Sequence, residues 1–274
     1  MVTQADIEKS LKELGLKAGD TVLFHSSLKS FGQVDGGARA VISAFLSTVT
    51  NEGTVVAPTL VQKEFDQAYE TWHMDKPSDV GYITEVFRKM PEAKRSNQAT
   101  HSVAAIGKKA DYYTETHGNS GLRVGVYGFS PFSKDSPWQK MYDDNAKVVM
   151  IGVDFEVLTF KHLYEYMIIE HCLDKAMERS EYDKYLQKVC TFDKRKQRDQ
   201  YAWPSMNSEK MFEIAEKIGI ISRVKCGSAD LMLITAKDLG EAVLENVYKN
   251  PDYWFGNVDW LKPTLDWIKS LLNK

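Results

Sequence analysis

Residues 21–60 read TVLFHSSLKSFGQVDGGARAVISAFLSTVTNEGTVVAPTL, and this stretch decides the fold class. Thr21–His25 is a short apolar run bounded by turn residues, the mark of a buried strand. HSSLKSFGQVDGG is rich in Gly and Ser and opens an apolar helix from about Ala38 to Val49. NEG makes a turn. TVVAPTL is a second buried strand, ended by Pro58.

Upstream, residues 5–15 place Ile7, Leu11 and Leu14 at helical spacing. The first sixty residues thus alternate helix, strand, helix and strand, which predicts an α/β layer with neighbouring strands. Downstream, residues 61–80 are polar and irregular. GYITEVFRKM then reads as a helix, HSVAAIG as a strand, AKVVMIGVDF as another buried strand, and VLTFKHLYEYMIIEHCL as a helix. Between them GNSGLRVGVYGFSPFSKDSPW is a long Gly/Ser/Pro-rich loop, a kind of segment that often carries function. Beyond about residue 180 the pattern changes. EYDKYLQKVCTFDKRKQRDQYAW alternates apolar and charged positions as half-exposed antiparallel strands do. Helices are expected at roughly 208–219, 236–247 and 258–272. The fold class is therefore α/β, a central mixed sheet flanked by helices, as one domain over 1–274 whose residues 180–274 form a smaller antiparallel C-terminal portion.

Of the 274 residues, 43% are hydrophobic and 27% charged, as in an ordinary globular enzyme. The net charge of −3 lacks the basic footprint of a nucleic-acid binder. No run reaches bilayer-spanning length, and the first twenty residues hold no signal-peptide core. Cys172, Cys190 and Cys226 are odd in number and far apart, which suits a reduced, cytoplasmic compartment. Gly128–Phe132 lacks the final glycine of a serine-hydrolase elbow. No H-E-x-x-H or P-loop pattern occurs, so no metal is expected.

Four segments in order resemble the aminoglycoside 3-N-acetyltransferase family: 21–45 with 53–60 behind it, KRSNQATHSVAAIG (94–107), GFSPFSKDSPWQKMYDDNAKVVMIGVDF (128–155) and TFKHLYEY (159–166). One departure stands out. Where the family shows His-Pro after its Arg-Ser pair, this chain has Gln98 and Ala99. The resemblance implies an acetyl-CoA-dependent N-acetyltransferase acting on an amino sugar, an aminoglycoside or a nucleotide-linked amino sugar. A family member that binds CoA without catalysis is the alternative of another class. The expected partner is a small-molecule acceptor, with no nucleic acid and no membrane, and the chain is expected as a monomer or homodimer.

Acetyl transfer to a protonated amine needs a base that titrates near neutrality, and histidine does so without large perturbation. The resemblance places its His-x-x-Glu pair at His162 and Glu165, three apart and so on one helix face. The same spacing also serves a buried structural pair. For the cofactor, the resemblance points to Ser26, Ser27 and Leu28 in the first loop and to Arg95 and Ser96. A guanidinium suits phosphate through paired bonds. Read alone, the serine loop fits a plain strand–loop–helix turn with capping serines better than a cofactor site, and the alternative for Arg95 is a surface arginine in the charge run EAKR. His101 is expected to pack or to touch the site rim. For His25 a structural hydrogen bond comes first and a cofactor contact second. Asp154, Glu156 and the acids of 61–80 (Glu64, Asp66, Glu70 and Asp75) are either a receptor for a cationic sugar or a solvated surface.

Overall fold

The computed structural model describes residues 1–63, 67–117, 124–125, 128–129, 131–176 and 204–255. Helix α1 (Gln4–Leu14) starts at a capping box in which Thr3 and Asp6 satisfy each other's backbone N–H groups, and it stops at Gly15, whose φ is 110°. Its buried face is Ile7, Ser10, Leu11 and Leu14, the expected apolar stripe with one serine. Strand β1 (Thr21–Ser26), helix α2 (Gly37–Val49) and strand β2 (Thr54–Pro58) follow. Next come α3 (Ala68–Thr71), α4 (Tyr82–Arg88), β3 (Lys94–Arg95), β4 (Val103–Gly107) and α5 (Ala110–Thr114). The two-residue strands β5 (Val124–Gly125) and β6 (Gly128–Phe129) pair only with each other. The chain continues through α6 (Pro137–Asp143), β7 (Lys147–Ile151) and α7 (Phe160–Ala176). After it come α8 (Ser208–Lys217), β8 (Ser222–Cys226), β9 (Ala229–Thr235), α9 (Ala236–Lys249) and α10 (Pro251–Phe255).

Seven strands form one mixed sheet in the order β3-β4-β2-β1-β7-β9-β8. The central three, β2, β1 and β7, are parallel, and antiparallel pairs extend both edges. Alternation along each strand separates two cores. Leu23, Val56, Val103, Val148, Met150 and Ile234 face the α5, α6, α7 and α9 side. Val22, Phe24, Val55, Ala57, Val149 and Leu231 face α1, α2 and α4. Burying each large apolar side chain contributes about 2 kcal/mol relative to exposure.

The α/β layer, the mixed sheet and the flanking helices match the sequence reading. In the C-terminal portion the described strands are β8 and β9, which join the main sheet beside β7. The strands expected within 181–203 and the helix over 258–272 lie outside the described residues. Among the described residues no helix is long and apolar enough to cross a membrane.

Candidate functional site

The carboxyl ends of β1, β2 and β7 open on a cleft of about 660 Å³. Strand order places it by rule: the chain steps from β1 to β2 on one side and β7 lies on the other, and ligands collect at such switch points. His25 and Ser26 come from the end of β1, and Pro58, Leu60 and Gln62 from the end of β2. Val153, Glu156, Val157 and Leu158 follow β7, while Lys161 and His162 lie in the first turn of α7. His101 enters from the turn before β4, because β4 runs antiparallel to β2 and so begins where β2 ends.

His162 and Glu165 meet as their spacing requires. Nδ1 of His162 lies 3.1 Å from Oε2 of Glu165. A carboxylate only accepts, so the proton is on Nδ1. Glu165 is 2% exposed, and its Oε1 accepts the Met206 backbone N–H at 2.9 Å. The carboxylate is thus fixed from both sides, and the ring stands at the cleft wall. Phe132 packs against both imidazoles, with ring centroids 4.9 Å from His101 and 6.0 Å from His162. The His101 and His162 rings are 5.9 Å apart at 75°.

His25 borders the cleft, but its Nε2 is buried without a hydrogen-bond partner, as is the Ser26 hydroxyl. Burial, aided by the nearby Lys161 charge, pulls the His25 imidazole down to about 4, so it is neutral at pH 7. Lys161 donates at 2.7 Å to the Glu156 carbonyl and makes an ion pair with its carboxylate.

Ser27 and Leu28 are not among the residues that line this cleft. The Ser27 N–H donates to the Ile151 carbonyl at 3.0 Å, and Leu28 packs on the α1–α2 core. The loop lies tightly on the end of β7. A Cβ on Gly152, where φ is 58°, would fall 2.1 Å from Ser30 Cβ.

Arg95 and Ser96 are both engaged within the protein. The Arg95 guanidinium donates to the carbonyls of Thr59 and Met74, each at 2.8 Å, and to that of Lys76, and it stacks on Trp72. Burial first, then the nearby Arg88, lowers it to about 10, which leaves it charged at neutral pH. It therefore fastens the 72–76 segment to the end of β2. Ser96 is fully buried: its hydroxyl accepts the Val103 N–H and bonds His117 Nδ1 at 2.8 Å. His117 in turn donates Nε2–H to the Pro131 carbonyl at 2.8 Å. The chain Ser96–His117–Pro131 ties the Arg-Ser turn to the loop that carries Phe132. Sequence reading had no reason to single out His117, because its partners are 21 and 14 residues away.

Of the acids considered for a cationic sugar, Glu156 borders the cleft. Asp154 caps the short turn at Glu156, accepting its N–H at 3.0 Å. Glu70 and Asp75 are not among the cleft residues, and Glu64 and Asp66 lie outside the described residues. No group of three or more His, Cys, Asp or Glu that could hold a metal occurs among the described residues.

The family model for aminoglycoside 3-N-acetyltransferase matches residues 23–247. The SPbeta prophage-derived aminoglycoside N(3')-acetyltransferase-like protein YokD of Bacillus subtilis (strain 168) is 36% identical over 187 residues, 61% of this chain and 65% of that one. An aminoglycoside N(3)-acetyltransferase III of Salmonella sp is 30% identical over 182 residues, 60% of each chain. The chain thus spans less than two thirds of the length of these curated relatives. The crystal structure of the Bacillus subtilis YokD protein superposes with a TM-score of 0.65 at 28% identity, covering 91% of this chain and 100% of that one. AAC-IIIb in binary complex with CoASH shares the fold, with a TM-score of 0.67 at 18% identity over 94% of this chain and 98% of that one.

Proposed function

Because the chain belongs to the aminoglycoside 3-N-acetyltransferase family, we propose that it transfers the acetyl group of acetyl-CoA to a primary amine of an amino sugar, with His162 as general base and Glu165 orienting it. The observation that carries this reading is the His162–Glu165 pair. It lies in the wall of a cleft at the carboxyl ends of three parallel strands, with the carboxylate anchored by the Met206 N–H.

The proton placement follows from that pair. With Nδ1–H donated to Glu165, the basic nitrogen of neutral His162 is Nε2. Nε2 accepts the proton of the attacking amine, and Glu165 stabilises the imidazolium that results. The acetyl thioester supplies the electrophilic carbonyl. Residues of the cleft fit a thioester on a flexible, mostly apolar arm. Leu60, Val80, Val153, Val157 and Leu158 give apolar walls, and the unpartnered Ser26 hydroxyl and His25 Nε2 lie at the end of β1. Ser26 is the proposed contact of the first loop, with Ser27 and Leu28 holding that loop in place. Arg95 and Ser96 serve the cofactor side indirectly, by fixing the segments behind it. The AAC-IIIb complex with CoASH, on the same fold, supports CoA as the acyl carrier.

The names of the curated relatives support an aminoglycoside as acceptor. The single Lys161–Glu156 pair in the described part of the cleft favours a nucleotide-linked amino sugar as the second reading, since a polycation calls for several unpaired carboxylates. A thiol-release screen with acetyl-CoA, comparing aminoglycosides with nucleotide-linked amino sugars, tests both. Release with at least one class is expected. CoA binding with no release for any amine would leave a binding protein instead.

A further inference from the structure

Thr116 and His117 grip the two ends of one turn. The Thr116 hydroxyl donates to the Asp135 carbonyl at 3.0 Å, and His117 Nε2–H donates to the Pro131 carbonyl at 2.8 Å. Phe132 lies inside this turn and is fully buried. Its ring packs against His101, Trp138, His162 and Tyr166, at centroid distances of 4.9, 6.0, 6.0 and 5.4 Å.

The proton arrangement at His117 follows from its partners. A carbonyl only accepts, so Nε2 carries the proton. Burial pulls the pKa of this fully buried ring to about 3, so it holds one proton at pH 7 and Nδ1 keeps its lone pair. Nδ1 therefore takes the Ser96 hydroxyl proton at 2.8 Å, and Ser96 Oγ keeps a lone pair for the Val103 N–H at 2.9 Å. A neutral imidazole offers one donor and one acceptor at fixed positions of a rigid ring, and both are used.

The two ends of this link differ. At one end the Ser96 hydroxyl is bonded to Val103, the first residue of β4, so the anchor is the main sheet. At the other end the carbonyl belongs to the peptide that joins Pro131 to Phe132, and that peptide plane sets the direction in which the Phe132 side chain leaves the backbone. The Phe132 ring is a surface on which His162 rests. One buried imidazole thus carries the position of the sheet to the ring beside the base. Positioning matters steeply here, since a misplacement of about 1 Å at a reacting centre costs about a hundredfold in rate.

We propose that His117 is a positioning residue for the reaction, which anchors Phe132 to the sheet and through it fixes the His162 ring. The kinetic side rests on the acetyl-transfer reading above; the placement of the ring does not. Two single variants and their combination test it. His117→Leu removes the link and keeps an apolar filler, whereas Phe132→Leu removes the ring and keeps the link. Each should lower kcat about tenfold and leave the KM for acetyl-CoA unchanged. The double variant should also lose only about tenfold, because both changes act on the same ring. In proton–carbon spectra of the imidazoles, the His162 ring signals should move in the same direction in both single variants, as the Phe132 ring current is displaced or lost. Leu11→Ala, buried in the opposite core, controls for lost stability and should keep both kcat and the His162 signals. A double variant that loses about a hundredfold overturns the proposal, because the two residues then act independently. So does a fall of kcat in Leu11→Ala equal to that in His117→Leu. A raised KM for acetyl-CoA at constant kcat in His117→Leu also overturns it, and assigns His117 to the Arg95–Ser96 turn alone. If the wild type turns over no amine, the acetyl-transfer reading fails by itself. Moved His162 signals in His117→Leu then still uphold the positioning of the ring, and unmoved ones overturn it.

Discussion

Glu165 holds His162 with one carboxylate oxygen and the Met206 backbone with the other, at 3.1 and 2.9 Å. Residue 206 lies 41 positions beyond Glu165, so the orientation of the imidazole depends on a contact between α7 and the segment leading into α8. An isolated His-x-x-Glu pair on an exposed helix would lack the restraint that the Met206 contact adds here.

Glu165→Gln should therefore impair turnover without emptying the space. The Met206 N–H still needs an acceptor, so the new amide keeps its oxygen there and turns its NH2 group toward His162 Nδ1. That contact favours the tautomer with the proton on Nε2, the wrong nitrogen for a base. A fall in kcat of about a hundredfold is expected, the lower range of general-base effects. A kcat within a factor of two of wild type would separate Glu165 from the chemistry.

Arg95→Leu should destabilise the protein by about 3 kcal/mol. It leaves the carbonyls of Thr59, Met74 and Lys76 without their shared charged donor. Arg95→Lys should recover little, because one ammonium cannot reproduce a planar fork that reaches three carbonyls. Urea midpoints at constant m-value measure both changes. An Arg95→Leu variant as stable as wild type would show that the 72–76 segment is held by other contacts.

The acid side of the stability profile should bear the mark of His117. Burial pulls its pKa from 6.5 to about 3, against the hydrogen bond to Pro131 that raises it. The unfolded chain therefore binds the proton first as pH falls. The contribution of His117 is complete above about 6.5, declines below it, and is lost as pH passes about 3. His25, pulled to about 4, adds a slope of the same sign. Replacing His117 with Asn should flatten the dependence of the unfolding free energy on pH between 6.5 and 4. A slope equal to wild type in that window would show that His117 is not held neutral.

Gly152→Ala should be strongly destabilising, by about 3 kcal/mol, because a left-handed φ and a collision with Ser30 act together. Ser30→Gly should recover part of the loss by removing the side chain in the way. Thermal midpoints of the single and double variants give the comparison. Additive losses would mean that the two residues do not meet.

Much of the scaffold was legible because its signals are local. Leu23 and Val148 lie in apolar runs of strand length, and Ile7, Leu11 and Leu14 lie at helical spacing, so the parallel layer could be read from 21–60 and 147–151. The β8–β9 hairpin carries a weaker signal, although Gly227-Ser228 is a two-residue turn of the expected kind, with Gly227 at φ 56°. Ser222–Lys225 is a mostly exposed, charged edge strand and so lacks an apolar run. At the site, His162 and Glu165 were legible because three residues separate them on one helix. The work of Arg95, Ser96 and His117 was not. Arg95 reaches 36 residues back to Thr59 and Ser96 21 residues forward to His117, and only the folded sheet brings those partners together.

The most direct measurement is thiol release from acetyl-CoA at saturating acceptor, for wild type and His162→Ala, with CoA affinity determined alongside. Loss of the base should lower turnover by about a hundredfold or more while CoA binds as before. Turnover near the wild-type rate in His162→Ala would contradict the assignment of His162 as the group that takes the amine proton.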